Sequence, residues 1–198
     1  MPEPQHQPGA DDAPSDAQLA QRIDGGDREA ASELIGRYQG PIRGFLLRLT
    51  GRPDLADDLT QDTLIRMLQN AGRYDPQYAM RTWAMTIARR LWINFNRKAE
   101  RRNVSGEFDH RPGNSPDPAS VTSRNDELAN MRQLLEDALQ QLSESQRLAL
   151  VLFHQQGLSV DEVAHVMEMP PGTIKSHLHR GRAAMRRILG PDADRQDM

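Results

Sequence analysis

The chain has 198 residues with no cysteine, 37% hydrophobic and 5% aromatic residues, and 25 Lys+Arg against 28 Asp+Glu. That length allows one or two domains. The low apolar and aromatic content argues for two small helical units over one large core. Without cysteine there is no disulfide, thiolate zinc site or thiol switch, and no apolar run approaches the roughly 18 residues of a membrane span. The polar, Pro-rich stretch from Met1 to Ala13 lacks the apolar segment of a secretory signal, so the expectation is a cytoplasmic protein with no membrane contact of its own.

Taken in chain order, residues 1–14 read as a disordered tail. Ser15 or Asp16 caps a first helix carrying Leu19 and Ile23, which Gly25-Gly26 ends, and Asp27 caps the next. That helix holds Ala30, Leu34 and Tyr38. Pro41 is expected to bend or restart it before Ile42, Phe45, Leu46 and Leu49. After Pro53, Asp54 starts a helix with Leu55, Leu59, Leu64 and Leu68, and Asp75-Pro76 breaks the pattern. A long helix then runs from about Thr82 to Arg102, with Ala84, Ile87, Ala88, Leu91 and Phe95 on one face. Residues 103–125, with Pro112, Pro116 and Pro118, read as a linker too long for a compact domain. Beyond it, Leu128, Met131, Leu135, Ala138 and Leu142 form a helical stripe. Ser143 to Gln146 reads as a capping box opening an apolar helix that Gly157 closes, and Ser159 to Glu162 as a second box. Met169 to Gly172 is a turn, and a last helix runs from about Thr173 to Leu189. No segment sustains a period of two. The predicted fold is all-α: two small helical domains, 15–102 and 126–190, joined by a flexible linker, with a short tail at 191–198.

Charge is segregated along this order. Arg81 to Arg102 carries seven basic residues and one acid, Lys175 to Arg187 five basic residues and no acid, and Met1 to Ile35 eight acids and two bases. Of the basic residues 23 are Arg, whose planar fork suits phosphates and base edges. Two basic segments in a mildly acidic chain point to two nucleic-acid contacts.

Three stretches carry that chemistry. Leu158 to Leu189, a capped short helix, a Gly-containing turn and a longer basic helix, has the helix-turn-helix pattern. Ile174, Leu178, Gly181, Met185 and Ile188 fall on its packing face. Lys175, Ser176, His179 and Arg180 lie on the first two turns, where a recognition helix reaches base edges, and Arg182, Arg186 and Arg187 suit phosphates. From Met80 to Lys98 aromatics interleave with arginine: Trp83, Trp92 and Phe95 can stack on unpaired bases, with Arg89, Arg90 and Arg97 on phosphates; as plain core residues Trp83 and Phe95 would equally satisfy the helical spacing. The third stretch, Asp54 to Asp62, is acidic and suits a helix start or a protein-contact face better than catalysis. The histidines do not converge on a metal site, and no phosphate loop, nucleophile elbow or zinc-protease motif is present. Neither a cofactor nor enzymatic chemistry is called for.

Together these segments resemble a bacterial extracytoplasmic-function (ECF) RNA polymerase sigma factor. Asp57 to Arg66 looks like the polymerase-binding helix of that family's first domain, Arg81 to Arg89 like the lead into its promoter-melting and −10 helix, and Leu142 to Arg147 with Leu158 to Arg180 like its −35 domain. The resemblance implies a transcription initiation factor that binds core RNA polymerase, reads −10 and −35 promoter DNA and helps melt it, with an anti-sigma factor as a further partner. Asp58, Gln61 and Asp62 would face the polymerase. Lys175, Ser176, His179 and Arg180 would read or position the −35 element, and Arg90 to Asn94 would help capture an unpaired −10 base, Arg90 standing where many members have Asn. The linker, with Glu107, Asp109 and Asp117, would thread toward the polymerase RNA-exit path. The alternatives are a stand-alone helix-turn-helix regulator with a sensor or dimerisation domain in residues 16–102, and a DNA-processing enzyme carrying this reader as an appendage.

Overall fold

The structure, a computed structural model, describes residues 13–104 and 124–190. Most of the expected amino-terminal tail, residues 105–123 of the expected linker with its three acids, and the carboxy-terminal tail lie outside the described residues, while 103–104 and 124–125, expected as linker, belong to helices. Among the described residues every regular element is helical. Helix α1 (Asp16–Asp24) starts on a reciprocal cap: the Gln18 amide donates to Ser15 Oγ at 3.2 Å, and the Ser15 amide to Gln18 Oε1 at 2.7 Å. Asp27 then accepts from the Glu29 and Ala30 amides to open α2 (Arg28–Thr50).

α2 runs through Pro41 without a break, so the expected restart does not occur. Proline removes one ladder bond and costs about 3 kcal/mol. Tyr38, Ile42, Phe45, Leu46 and Leu49 are buried on both sides of it, and each large side chain contributes about 1.5–3 kcal/mol; burial wins. Pro53 occupies the first turn of α3 (Pro53–Gln69), where its missing N–H was an orphan anyway. A single 3₁₀ turn (Ala71–Arg73) leads to α4 (Met80–Val104). Its buried stripe is Met80, Ala84, Met85, Ala88, Leu91 and Trp92, whereas Phe95 is 37% exposed. Spacing placed Phe95 in line with Ala88, but a side chain is buried only where another element reaches it.

The second unit is α5 (Arg124–Gln140), α6 (Glu144–Leu150), a π-helical segment (Val151–Gln155), α7 (Val160–Met167) and α8 (Pro171–Leu189). Ala138, Leu139 and Leu142 are buried, but Met131 and Leu135, expected on the same stripe, are exposed at 57% and 37%. Ser143 caps α6 by backbone geometry only, without the side-chain bond a capping box needs. Ser159 makes the full box with Glu162. α8 begins two residues earlier than expected because Pro171, read as turn, sits at its first position. Gly181 lets α8 approach α6: a Cβ there would stand 3.0 Å from Leu150 Cδ1.

The two units lie against each other. The last carbonyls of α2, orphans in any helix, are taken by the second unit: Gln140 Nε2 donates to Arg48 O at 3.0 Å and Arg147 to Leu49 O at 2.8 Å. Gln156 donates to Pro41 O at 3.3 Å. α4 packs along α7.

Candidate nucleic-acid interface

α8 is held by Ile174, Leu178 and Gly181, all buried. With that face fixed, a 100° turn per residue leaves Lys175, Ser176, His179 and Arg180 exposed, around a shallow depression of about 410 Å³. Ser176 Oγ donates to Gly172 O at 3.1 Å and Arg180 Nε to Ser176 O at 3.3 Å. The three later arginines divide. Arg187 is exposed on the line of Arg180. Arg182 lies 5.8 Å over the Phe153 ring and joins Arg186 at the edge of a groove of about 740 Å³ floored by Leu135, Leu139, Leu150 and Val151. Those two therefore border an apolar groove as well as solvent.

On α4 the expected residues separate more sharply. Trp92 is only 4% exposed and is a core residue, with no face to offer a base. Arg89 is 12% exposed and donates to Val166 O of α7 at 3.0 Å. Burial pushes its pKa down, against the pull of Glu168 at 3.8 Å. It is thus committed within the fold and not free for a phosphate. Arg90 is exposed and pairs with Glu168 at 3.1 Å. Asn94 and Arg97 are exposed. Trp83 is half-buried, its ring 5.5 Å from that of Tyr74.

Sequence reasoning missed what surrounds Trp83. A pocket of about 220 Å³ is lined by Arg73, Asp75, Tyr78, Trp83, Thr86, Arg90 and, from the second unit, His165. The His165 ring stacks on Tyr78, centroids 4.4 Å apart and planes 20° apart. The two tyrosines in Arg73-Tyr-Asp-Pro-Gln-Tyr78 are the available signal, beside a dipeptide, Asp75-Pro76, whose obvious meaning is a helix break. Glu162 of α7 accepts from Thr82 Oγ1 at 2.8 Å. Burial raises its pKa, but bonds from the Ser159 amide and hydroxyl and from Thr82 outweigh this and hold it below the usual range.

On α3, Asp58, Gln61 and Asp62 share an exposed face with Ile65, 50% exposed. The spacing i, i+3, i+4, i+7 makes one patch, and Ile65 is the member that the reading for polar residues passed over. Asp57 is turned to Arg43 at 2.6 Å.

Residues 34–102 match the family Sigma-70 region 2, and residues 132–185 match Sigma-70, region 4. The RNA polymerase sigma factor CarQ of Myxococcus xanthus is 32% identical over 170 residues, 86% of this chain and 95% of CarQ. The chain belongs to the ECF sigma factors. The ECF RNA polymerase sigma factor SigL of Mycobacterium tuberculosis is 35% identical over 157 residues, 79% of this chain and 86% of SigL. Among solved structures, the sigma factor RpoE of Bartonella quintana, crystallised with the anti-sigma factor NepR, superposes with a TM-score of 0.67 at 26% identity, over 81% of this chain and 97% of that one. As a sigma factor the protein binds core RNA polymerase and promoter DNA and acts in transcription initiation, in a family of initiation factors and not of enzymes. Region 2 occupies the stretch that a sensor or dimerisation domain would have needed. No helix among the described residues is long and apolar enough to cross a membrane.

Proposed function

We propose that this sigma factor divides promoter recognition between two surfaces, in domains bounded as 15–102 and 126–190 and linked by 103–125. Lys175, Ser176, His179 and Arg180 read or position the −35 element in the major groove, and Arg187 holds phosphate. Trp83, Tyr78 and Arg90 line the pocket that takes an unpaired −10 base, with Asn94 and Arg97 along the strand beyond. Asp58, Gln61, Asp62 and Ile65 dock on core polymerase. The protein works in the cytoplasm, where an anti-sigma factor holds it; the Bartonella relative seen with such a partner supports this.

The observation that carries the reading is the one-sided exposure of α8: Ile174, Leu178 and Gly181 are buried, while the exposed positions between Lys175 and Arg180 are all polar or basic. Each reader is weak alone, and linkage through the polymerase makes the second contact intramolecular. Transcription reconstituted with core polymerase on a promoter library tests it. Replacing Lys175, Ser176, His179 and Arg180 together by Ala should erase preference at the −35 positions while the variant still co-purifies with core polymerase. Unchanged −35 preference would refute the assignment.

A further inference from the structure

Arg182 and Arg186 of α8 stand apart from the −35 surface. Both are exposed, and with Arg48 of α2 they rim the groove of about 740 Å³ floored by Leu135, Leu139, Leu150 and Val151. Among the described residues no acid lines that groove, and none of the three arginines is paired with a carboxylate. An apolar trough with an unmatched positive rim suits an occupant that is acidic and partly apolar. The chain carries such a segment at the groove's own edge. Leu189, the last residue of α8, lines the groove. Residues 191–198, Pro191-Asp-Ala-Asp-Arg-Gln-Asp-Met198, follow it with three acids and one base. Between them Gly190 has φ 81° and ψ 176°, a conformation essentially reserved to glycine, and there the chain leaves the helix. Arg186 and Arg182 lie only about 4.5 and 10.5 Å back along the axis from Leu189. Eight residues can span about 26 Å, so every aspartate of the segment can reach the rim.

We propose that residues 191–198 seat in this groove, with Asp192, Asp194 and Asp197 on the Arg48–Arg182–Arg186 rim and Ala193 and Met198 toward the apolar floor. An exposed ion pair is weak by itself. Tethering through Gly190 offsets this, because it presents the acids at an effective concentration on the order of millimolar, where contacts too weak to hold a separate peptide are populated. The floor is then covered by the chain itself. The charges of Arg182 and Arg186 are matched, which confines the open positive face of α8 to the line of Lys175, Arg180 and Arg187.

The test uses the full chain, whose lack of cysteine permits a single nitroxide at Gln196→Cys, a neutral position of the segment. Methyl NMR reads what the label approaches. The methyl signals of Leu135, Leu139 and Val151 should broaden, and those of Leu19, buried in region 2, should not. Salt at about 1 M, which screens charges beyond about 3 Å, should reduce the broadening about threefold or more. Asp192→Asn, Asp194→Asn and Asp197→Asn combined should do the same at low salt. Absence of broadening at the groove overturns the seat. Broadening that survives both the salt and the asparagines overturns the pairing of acids with the arginine rim. Broadening that fades on dilution assigns the groove to the tail of a second copy and overturns the intramolecular seat.

Discussion

Arg180 and Arg187 lie seven residues apart on one exposed line of α8 but belong to different parts of it, and they should fail differently. Arg180→Ala is expected to relax discrimination at one or two −35 base pairs, since a bidentate Arg–guanine contact is worth roughly 1–3 kcal/mol. Arg187→Ala is expected to weaken all templates alike and flatten the salt dependence, since a phosphate contact carries no base information. Transcription on matched and mismatched −35 templates separates them; equal proportional loss everywhere would remove Arg180 from base reading. On α3, Asp62→Arg should reduce co-purification with core polymerase without lowering the melting temperature, because the side chain is exposed on the polar face. Retention at the level of the unaltered protein would move the docking face elsewhere. At this scale the sequence was legible where a helix has one buried face and solvent opposite, as in α8. It was not legible in α4. Arg89 and Arg90 are neighbours with identical chemistry, and the 100° between them sends one under α7 and the other to its rim. Trp92 and Trp83 differ in the same way.

The elements show how much a cap motif owes to its surroundings. Ser159 and Ser143 both precede helices with the right residue three places on, yet only Ser159 makes the side-chain bonds. Ser159→Ala should therefore destabilise the protein by about 1 kcal/mol in urea unfolding, and Ser143→Ala far less. Equal losses would mean that the Ser143 hydroxyl caps in solution. Glu162 is the difference: it serves its own helix start through Ser159 and the other unit through Thr82. The π segment had no sequence signal, because Val151 to Gln155 reads as ordinary helix. Its wide turn shows only in backbone bonding, with the Gln156 amide reaching Val151 O. Pro171 was legible in principle as a helix first residue, but Pro170 beside it made the pair look like turn.

Among the described residues, the order of the α-helices and the division into two helical units could be read from periodicity and caps, while the contact between the units could not. Several of its bonds run from a side chain to a backbone carbonyl, as at Gln140, Arg147 and Arg89, and such bonds leave no periodic trace. The contact should be sensitive to acid. Glu168 has its carboxyl held below the ordinary 4.5 by the bond from Arg90 and the charge of Arg89, and Glu162 is also lowered. A carboxyl depressed in the folded state stabilises it above the ordinary value and loses that contribution as pH falls through the lowered one. The two units, followed by small-angle scattering, should accordingly stay together at neutral pH and part as the solution is acidified past the carboxylate range. Parting that begins on the alkaline side would contradict these carboxylates as the cause. Glu168 also has a backbone φ of 56° and ψ of 42° at the end of α7, a left-handed conformation that costs an L-residue roughly 1–2 kcal/mol and in which glycine is the usual occupant. A turn selected only to join two helices would carry glycine. The glutamate makes it a poorer joint and a better handle, so rigidity of the reader and closure of the molecule pull in opposite directions at this position. Glu168→Gly is thus the unusual change expected to raise the thermal stability of the helix-turn-helix while loosening its hold on region 2.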